Sequence, residues 1–167
     1  VQAEIETDWT AGVADGFQEP ELLSQLTIAE NIALPLAACQ TKAMALEQAV
    51  SMLQKMELEG FANRFPNELS FGQQQRVAIA RALTYPSPLL LMDEPFKGID
   101  TAMRDRILLK LKQYLCKKTC VIITHDTYEA ANIAQKAVIL GGSPANVVFE
   151  CICNDIQKTK YLLDSEI

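Results

Sequence analysis

The sequence lacks a long hydrophobic run, a net positive charge and more than one histidine. No stretch of about 18 consecutive apolar residues occurs, so the sequence predicts no membrane-spanning helix. The formal net charge of -6 argues against a general nucleic-acid-binding protein, which would need a basic surface. One histidine and five irregularly spaced cysteines give little support to a Cys/His zinc site or a disulfide framework.

The N-terminal residues also lack the features of a signal peptide. Residues 1–8 contain three carboxylates and no basic run. The chain starts at Val1 rather than at a methionine, and we expect it to be a piece of a longer protein. Its 167 residues are nevertheless enough for one domain with a sizeable core.

Apolar patterns along the chain predict strands that alternate with helices, which is typical of an α/β domain with a largely parallel sheet. The predicted helices are 27–36, 41–56, 70–83, 100–117 and 128–134. The predicted strands are 1–7, 89–92, 120–123 and 137–140, with 147–149 as a hairpin partner and 10–16 as a loop. The runs at 89–92 and 120–123 are continuously apolar, which is typical of strands buried on both faces.

The strand predicted at 89–92 ends in two adjacent carboxylates, Asp93 and Glu94. Two acidic groups at the end of an apolar strand are costly unless they have partners or a task. Asp93 is suited to hold Mg²⁺, largely through its water shell, and Glu94 to orient or deprotonate a water that attacks a phosphate. The structural alternative is that Asp93 caps a turn and Glu94 is merely solvated.

Ser70 begins a predicted helix and is followed by Phe71, Gly72 and Gln73. A serine hydroxyl and unpaired backbone N–H groups at a helix N-terminus bind anions, and Gly72 would let a phosphate approach the backbone closely. An ordinary capping box between Ser70 and Gln73 is the structural alternative.

The only histidine, His125, follows the second apolar run. In open α/β sheets, ligands bind beyond the carboxyl ends of the strands. We therefore expect Asp93, Glu94 and His125 to meet at one site, where His125 would donate a hydrogen bond to a phosphate or orient the water. A surface histidine without a function is the alternative.

The order of these motifs resembles the ATP-binding subunits of ABC transporters, the ABC ATPase family. The matching elements are the Q-loop at Gln18, the signature motif at 69–83, the Walker B strand at 89–95, the D-loop at 98–100 and the H-loop at 123–126. The resemblance implies a P-loop NTPase-like ABC ATPase core, with a parallel sheet and a helical subdomain and with its N-terminal part missing. It makes 1–167 a single partial domain, with the helical subdomain from about 27 to 69, the signature helix at 70–83 and part of the core sheet at about 86–150.

The resemblance also implies ATP and Mg²⁺ as cofactors and assigns roles on the chain's own catalytic side. Asp93 would serve Mg²⁺, Glu94 would be the general base, and His125 would sense the γ-phosphate. Gln18 would touch Mg²⁺ or the attacking water and would link the site to membrane subunits.

Other residues would face partners if the resemblance holds. Ser70, Gly72 and Gln73 would contact the γ-phosphate of ATP bound to a second ATPase subunit, in a head-to-tail dimer with Asp100 at its interface. The Gln18 loop and the helical subdomain would contact transmembrane permease subunits. No nucleic acid is expected as a partner.

The chain departs from the family pattern at three places. Phe71 stands where the signature motif most often has glycine, and Gly98-Ile99-Asp100 replaces the commoner Ala-Leu-Asp. No Gly-x-x-x-x-Gly-Lys-[Ser/Thr] loop (Walker A) occurs in the 167 residues, and this loop normally cradles the phosphates. We therefore expect this chain alone to bind ATP poorly and to be inactive as an ATPase.

The resemblance implies an ATP-hydrolysing subunit that powers transport, in a bacterial importer, and lies in the cytoplasm on the inner face of the cell membrane. An alternative is a degenerate, non-hydrolysing module that supplies only its signature motif to a partner's ATP. A DNA-maintenance ATPase of the same family is disfavoured, because the sequence has no sustained heptads and is acidic. The transported substrate cannot be read from these residues.

Overall fold

A computed structural model describes residues 13–16, 20–115, 118–153 and 155–165. They fall into two compact units, Val1–Ile123 and Thr124–Ile167, which are described separately below. The strand predicted at 1–7 lies outside the described residues.

Two helices of the first unit begin at threonine N-caps, Thr27 and Thr41. Helix α1 spans Ile28–Ala33, and Thr27 and Glu30 form a capping box at its N-terminus. The helix predicted over 27–36 ends earlier, at Ala33, because Pro35 cannot continue it and the chain forms a short 3₁₀ turn over Leu34–Leu36. Helix α2 spans Lys42–Lys55.

Helix α2 packs against α1 and against the later helix α3. Its buried residues are Ala45, Ala49, Met52 and Leu53. Val50, although apolar, is 42% exposed. Positions 45, 49, 52 and 53 lie on one side of a helix with 3.6 residues per turn, whereas position 50 falls off that side.

Helix α3 spans Phe71–Thr84, and Ser70 is its N-cap, which confirms the helix predicted over 70–83. It contacts α1, α2 and strand β1, so it is the central helix of the first unit. Helix α4 spans Thr101–Leu115 and buries Ile107, Leu108 and Leu111.

The first unit contains a parallel sheet with the strand order β1-β2-β3. The strands are Val13–Gly16, Leu89–Asp93 and Thr119–Ile123, which confirms the predicted parallel α/β core. The prediction of a loop over 10–16 is wrong for residues 13–16, since Val13 pairs with Leu89 and Gly16 with Met92. A ladder with a distant strand overrides the weak strand propensity of small residues.

The prediction that β2 and β3 are buried on both faces is also wrong for the described structure. Leu90 and Met92 of β2 are 0% and 2% exposed, but Val121 and Ile123 of β3 are 46% and 62% exposed. Alternate residues of a strand point to opposite faces of the sheet, and the face that carries Leu90 and Met92 is the more buried of the two.

The second unit contains helix α5 (Thr127–Ile133), strands β4 (Lys136–Gly141) and β5 (Asn146–Ile152), and helix α6 (Ile156–Asp164). Strands β4 and β5 form the predicted antiparallel hairpin, with an irregularity in register at Ile139/Leu140. Helices α5 and α6 pack against each other. Within the described ranges, β4 pairs with β5 alone and forms a sheet separate from the parallel one.

Candidate functional site

The candidate site lies where β2 ends in Asp93 and Glu94. Asp93 is the last residue of β2 and is exposed, whereas Glu94 is half-buried. The N–H of Glu94 donates to the carbonyl oxygen of Ile123 at 2.9 Å, so the turn is tied to the end of β3. The carbonyl of Glu94 in turn accepts from the N–H of Lys97 at 3.2 Å.

Glu94 adopts a left-handed backbone conformation, with a φ of 45°. For a residue other than glycine, such a conformation costs about 1–3 kcal/mol and persists only where the surroundings enforce it. Strain of this kind is concentrated at functional sites, so it adds to the reasons for regarding Glu94 as a functional residue.

Gln75 connects this turn to helix α3. Gln75 is 1% exposed, and its Nε2 lies 3.5 Å from the carbonyl oxygen of Glu94, which is a long hydrogen bond. Its Oε1 is buried and has no hydrogen-bond partner among the described residues. The sequence places Gln75 within the signature motif but offers no signal that its side chain reaches Glu94.

The N-terminus of α3 presents Ser70 at the surface, and Ser70 and Gln73 form the capping box. The N–H of Gln73 donates to Ser70 Oγ at 3.4 Å, and the N–H of Ser70 donates to Gln73 Oε1 at 2.9 Å. The capping box that the sequence offered as an alternative is therefore present. The first N–H groups of any helix have no carbonyl partner within it, so a capped terminus can also attract an anion.

Gly72 is required by a close contact with the chain after β2. A Cβ atom on Gly72 would lie 2.6 Å from the carbonyl oxygen of Gly98, closer than real Cβ contacts. The glycine at position 72 thus has a structural reason within this chain. The expectation that Gly72 admits a phosphate remains a prediction.

Asp100 ends the turn that contains Gly98 and begins α4. Its Oδ1 accepts the N–H of Met103 at 3.0 Å, as a capping residue does, and Asp100 is itself exposed. This contact accounts for an aspartate at this position, and the interface role of Asp100 remains a prediction.

Arg76, which follows Gln75 in α3, anchors α3 to the end of α2. Its Nη1 donates to the carbonyl oxygens of Met56 at 2.7 Å and Glu57 at 2.9 Å. Burial lowers the pKa of the Arg76 guanidinium, while the nearby Glu57 carboxylate opposes that shift. Glu57 itself bonds Lys110 and Arg106 of α4, and the hydrogen bond from Lys110 is the main cause of its lowered pKa. Three helices therefore meet at one point.

His125 belongs to the second unit and is exposed in the turn before α5. The residues on both sides are held: Thr124 Oγ1 donates to Glu129 Oε2 at 2.8 Å, and Asp126 Oδ1 accepts the N–H of Tyr128 at 2.8 Å. That His125 meets Asp93 and Glu94 remains a prediction. Gln18, the other predicted catalytic residue, lies outside the described residues.

The chain matches proteins of one family. A family model described as "ABC transporter" matches residues 1–97, which is more than half of the chain. The chain belongs to the ABC transporter family. The assigned family and the α/β fold of an ABC ATPase core are therefore confirmed.

Two import proteins and one solved structure illustrate the relationship to this family. The chain is 36% identical over 138 residues to the thiamine import ATP-binding protein ThiQ of Vibrio cholerae, covering 81% of the chain and 58% of ThiQ. It is 38% identical to the sulfate/thiosulfate import ATP-binding protein CysA 2 of Chromobacterium violaceum, covering 78% of the chain and 38% of that protein. The ATP-binding cassette MJ0796, in a dimeric post-hydrolysis state with ADP and phosphate, superimposes with a TM-score of 0.76 at 35% identity, covering 86% of the chain and 63% of MJ0796.

The chain thus spans less than two thirds of the length of these relatives of the ABC transporter family. Among its described residues, no helix is both long and apolar enough to cross a membrane. Nor do the described His, Cys, Asp and Glu residues form a cluster of three or more that could hold a metal ion. One exposed carboxylate, as at Asp93, nevertheless suits Mg²⁺, which keeps several waters and takes its other ligands from substrate phosphates.

Proposed function

We propose that this chain is part of the ATP-binding and ATP-hydrolysing subunit of an ABC transporter, which couples ATP hydrolysis to transport across a membrane. One observation carries the proposal: the signature helix and the acidic turn after β2 contact each other within one compact unit. Gln75 lies against the carbonyl of Glu94, and Gly72 lies against Gly98. Glu94 would act on the chain's own ATP and Ser70 on the ATP of a second subunit, so this contact would link the positions of the two sites within one chain.

Glu94 is our candidate for the general base. Its carboxylate would accept a proton from the water that attacks the γ-phosphate of ATP. The turn holds its backbone through the bond to Ile123 and the bond from Lys97, so the strained residue has a defined position. His125 would donate a hydrogen bond to the γ-phosphate, and Gln18 would orient the same water.

Asp93 is our candidate for the Mg²⁺ site, together with Gln18. When bound, Mg²⁺ would neutralise charge on the phosphates as they react. Asp93 contributes an exposed carboxylate at the end of a strand whose preceding residues are fixed in the sheet.

Ser70, Gly72 and Gln73 are proposed to face ATP held by a second ATPase subunit in a head-to-tail dimer. The exposure of Ser70 supports this role, because its hydroxyl and the first turn of α3 are accessible from outside the chain. Asp100, also exposed, would lie at the dimer interface. MJ0796, the structural relative, is itself dimeric and holds ADP and phosphate.

The proposed partners are transmembrane permease subunits, contacted through the Gln18 loop and the helical subdomain. The subunit would lie in the cytoplasm at the inner face of the membrane. Import is the favoured direction, since two of its relatives are import ATP-binding proteins, for thiamine and for sulfate or thiosulfate.

Substitution of Glu94 by glutamine in the intact protein tests the proposal. Glutamine preserves the shape of the side chain but cannot accept the proton, so turnover should fall by about 10²–10⁴-fold while nucleotide affinity is retained. Phosphate release measures turnover, and titration with a fluorescent ATP analogue measures affinity. Glu150→Gln, at an exposed position of β5, is the matched control and should leave both turnover and affinity unchanged.

Two results would count against the assignment. Unchanged hydrolysis by the Glu94→Gln variant would remove Glu94 from the role of base. An intact wild-type protein that binds nucleotide at its signature motif but never hydrolyses it would instead support the non-hydrolysing module.

A further inference from the structure

Two of the three places where the sequence departs from the family pattern, Phe71 and Gly98, lie against each other in space. Ring atoms Cδ1 and Cε1 of Phe71 lie 2.5 and 2.8 Å from where a Cβ atom on Gly98 would stand. An alanine at position 98, the commoner residue, could not coexist with this placement of the Phe71 ring. The Phe71 ring thus occupies the space that an alanine methyl group would fill.

A second contact joins the same two elements. The backbone of Gly72, beside Phe71, approaches the carbonyl of Gly98 so closely that a Cβ on Gly72 would lie 2.6 Å from that oxygen. The tip of α3 and the turn after β2 therefore interlock at two adjacent points, one through a side chain and one through backbone atoms.

The turn that Phe71 touches is held by one buried side chain and two backbone hydrogen bonds. Phe96 is 2% exposed and anchors it in the core, and the N–H of Ile99 donates to the carbonyl of Phe96 at 3.1 Å. The bond from the N–H of Lys97 to the carbonyl of Glu94 closes the preceding turn. A displacement at Gly98 would consequently be passed to Glu94 on one side and to Asp100 on the other.

We propose that Phe71 and Gly98 are a matched pair of positioning residues, which holds the 96–100 turn at a fixed place relative to Ser70. The inference rests on the proposed function, because it concerns the distance between a phosphate-binding helix tip and the turn that links Glu94 to Asp100. The Phe71 residue is 44% exposed, so one side of its ring packs on Gly98 while the other faces outward. Displacement of the ring would change the surface that the proposed second subunit meets.

The positive φ of Gly98 is a second reason for glycine at this position. An experiment must therefore separate the backbone strain from the steric clash with Phe71. At a φ of +75°, any L residue other than glycine is strained, whatever space surrounds it. Gly60 provides the matched control, because its φ is +80° and nothing lies within 4 Å of its Cβ position. Gly60→Ala therefore measures the strain of the conformation without a clash.

The experiment is a double-mutant cycle with Gly98→Ala, Phe71→Ala and both together in the intact protein. Phe71→Ala removes the ring that clashes with a Cβ at position 98, but it leaves the strain of the positive φ there. Gly98→Ala should therefore lower the free energy of unfolding much less in the Phe71→Ala background than in the wild type. We expect a coupling of about tenfold in the unfolding equilibrium constant. In the Phe71→Ala background, the cost of Gly98→Ala should match that of Gly60→Ala.

Two further readouts distinguish positioning from mere packing. Amide hydrogen exchange of residues 96–100 should be faster in Gly98→Ala and should recover in the double variant. The kcat for ATP should follow the same pattern at saturating ATP, where every variant is folded. If Gly98→Ala does not fold, Gly98→Asn replaces it, since asparagine tolerates this backbone conformation but carries the same Cβ.

If Gly98→Ala lowers the free energy of unfolding equally with and without Phe71, the two residues are not a matched pair. Coupling in stability with wild-type exchange and wild-type kcat in all variants would overturn the positioning role. Failure of the proposed function would be a separate result, because the Glu94→Gln variant would then hydrolyse ATP normally. The double-mutant cycle, measured by unfolding and by hydrogen exchange, would still test the contact between Phe71 and Gly98.

Discussion

Substitution of Arg76 by methionine should destabilise the chain strongly, because Arg76 is the buried anchor between α3 and the end of α2. The residue is 7% exposed, and its Nη1 bonds the carbonyl oxygens of Met56 and Glu57 at 2.7 and 2.9 Å. Methionine retains the apolar stem and removes both hydrogen bonds, so the change isolates the guanidinium.

The magnitude follows from these contacts. A hydrogen bond from a charged donor contributes about 1.5–3 kcal/mol, and two lost bonds at the lower end amount to about 3 kcal/mol. Removal of the charge recovers part of the desolvation cost that lowers the pKa of Arg76, which leaves a net loss of about 2 kcal/mol. With a typical urea slope of about 2 kcal/mol/M, the midpoint should fall by about 1 M.

The assay is urea denaturation followed by circular dichroism at 222 nm. Arg64→Met is the control, since Arg64 is exposed and its guanidinium stacks on the Phe61 ring, 4.5 Å from the centroid. That contact contributes less than about 1 kcal/mol at an exposed site. If Arg76→Met shifts the midpoint no more than Arg64→Met does, the anchoring role assigned to Arg76 is refuted.

Three further predictions concern pH dependence, thiol reactivity and nucleotide binding. The hydrogen bond from Lys110 lowers the pKa of Glu57, so its carboxylate stabilises the fold at neutral pH; the difference in unfolding free energy between wild type and Glu57→Gln should shrink as the pH falls below 4.5, and a difference independent of pH would contradict this. Burial raises the pKa of the Cys120 thiol to about 11, so only about a thousandth is thiolate at pH 8, and mass spectrometry after iodoacetamide treatment should find exposed Cys39 alkylated well before Cys120; equal rates would refute the shift. The 167-residue chain has no Gly-x-x-x-x-Gly-Lys loop, so calorimetric titration should detect no binding of Mg-ATP at micromolar concentration, and tight binding would show that the cradle is dispensable.

The helix ends were predictable because their causes are local. Thr27 and Ser70 begin α1 and α3 through hydrogen bonds that span three residues, so the identity of each cap and its partner can be read directly from the chain. Pro35 likewise ends α1 by its own missing N–H and fixed backbone angle. The order of the motifs was sufficient to assign the family, because the spacing of Ser70, Asp93 and His125 is itself a sequence property.

The contacts that couple these motifs were not predictable, because each joins residues far apart in the chain. Strand β1 exists through its ladder with β2, and the exposed faces of Val121 and Ile123 depend on which elements cover the sheet. The fourfold hydrogen bonding of buried Asn31 to the segment before α1 has no sequence signal either.

The sequence by itself determined the family, the helix caps and which residues are candidates for chemistry. Only the tertiary structure decided why two of its glycines are glycines: Gly72 meets the carbonyl of Gly98, and Gly98 meets the ring of Phe71. The physical reason is steric. A side chain's own preferences are encoded where it stands, but the space available to it is set by backbone that arrives from elsewhere in the chain.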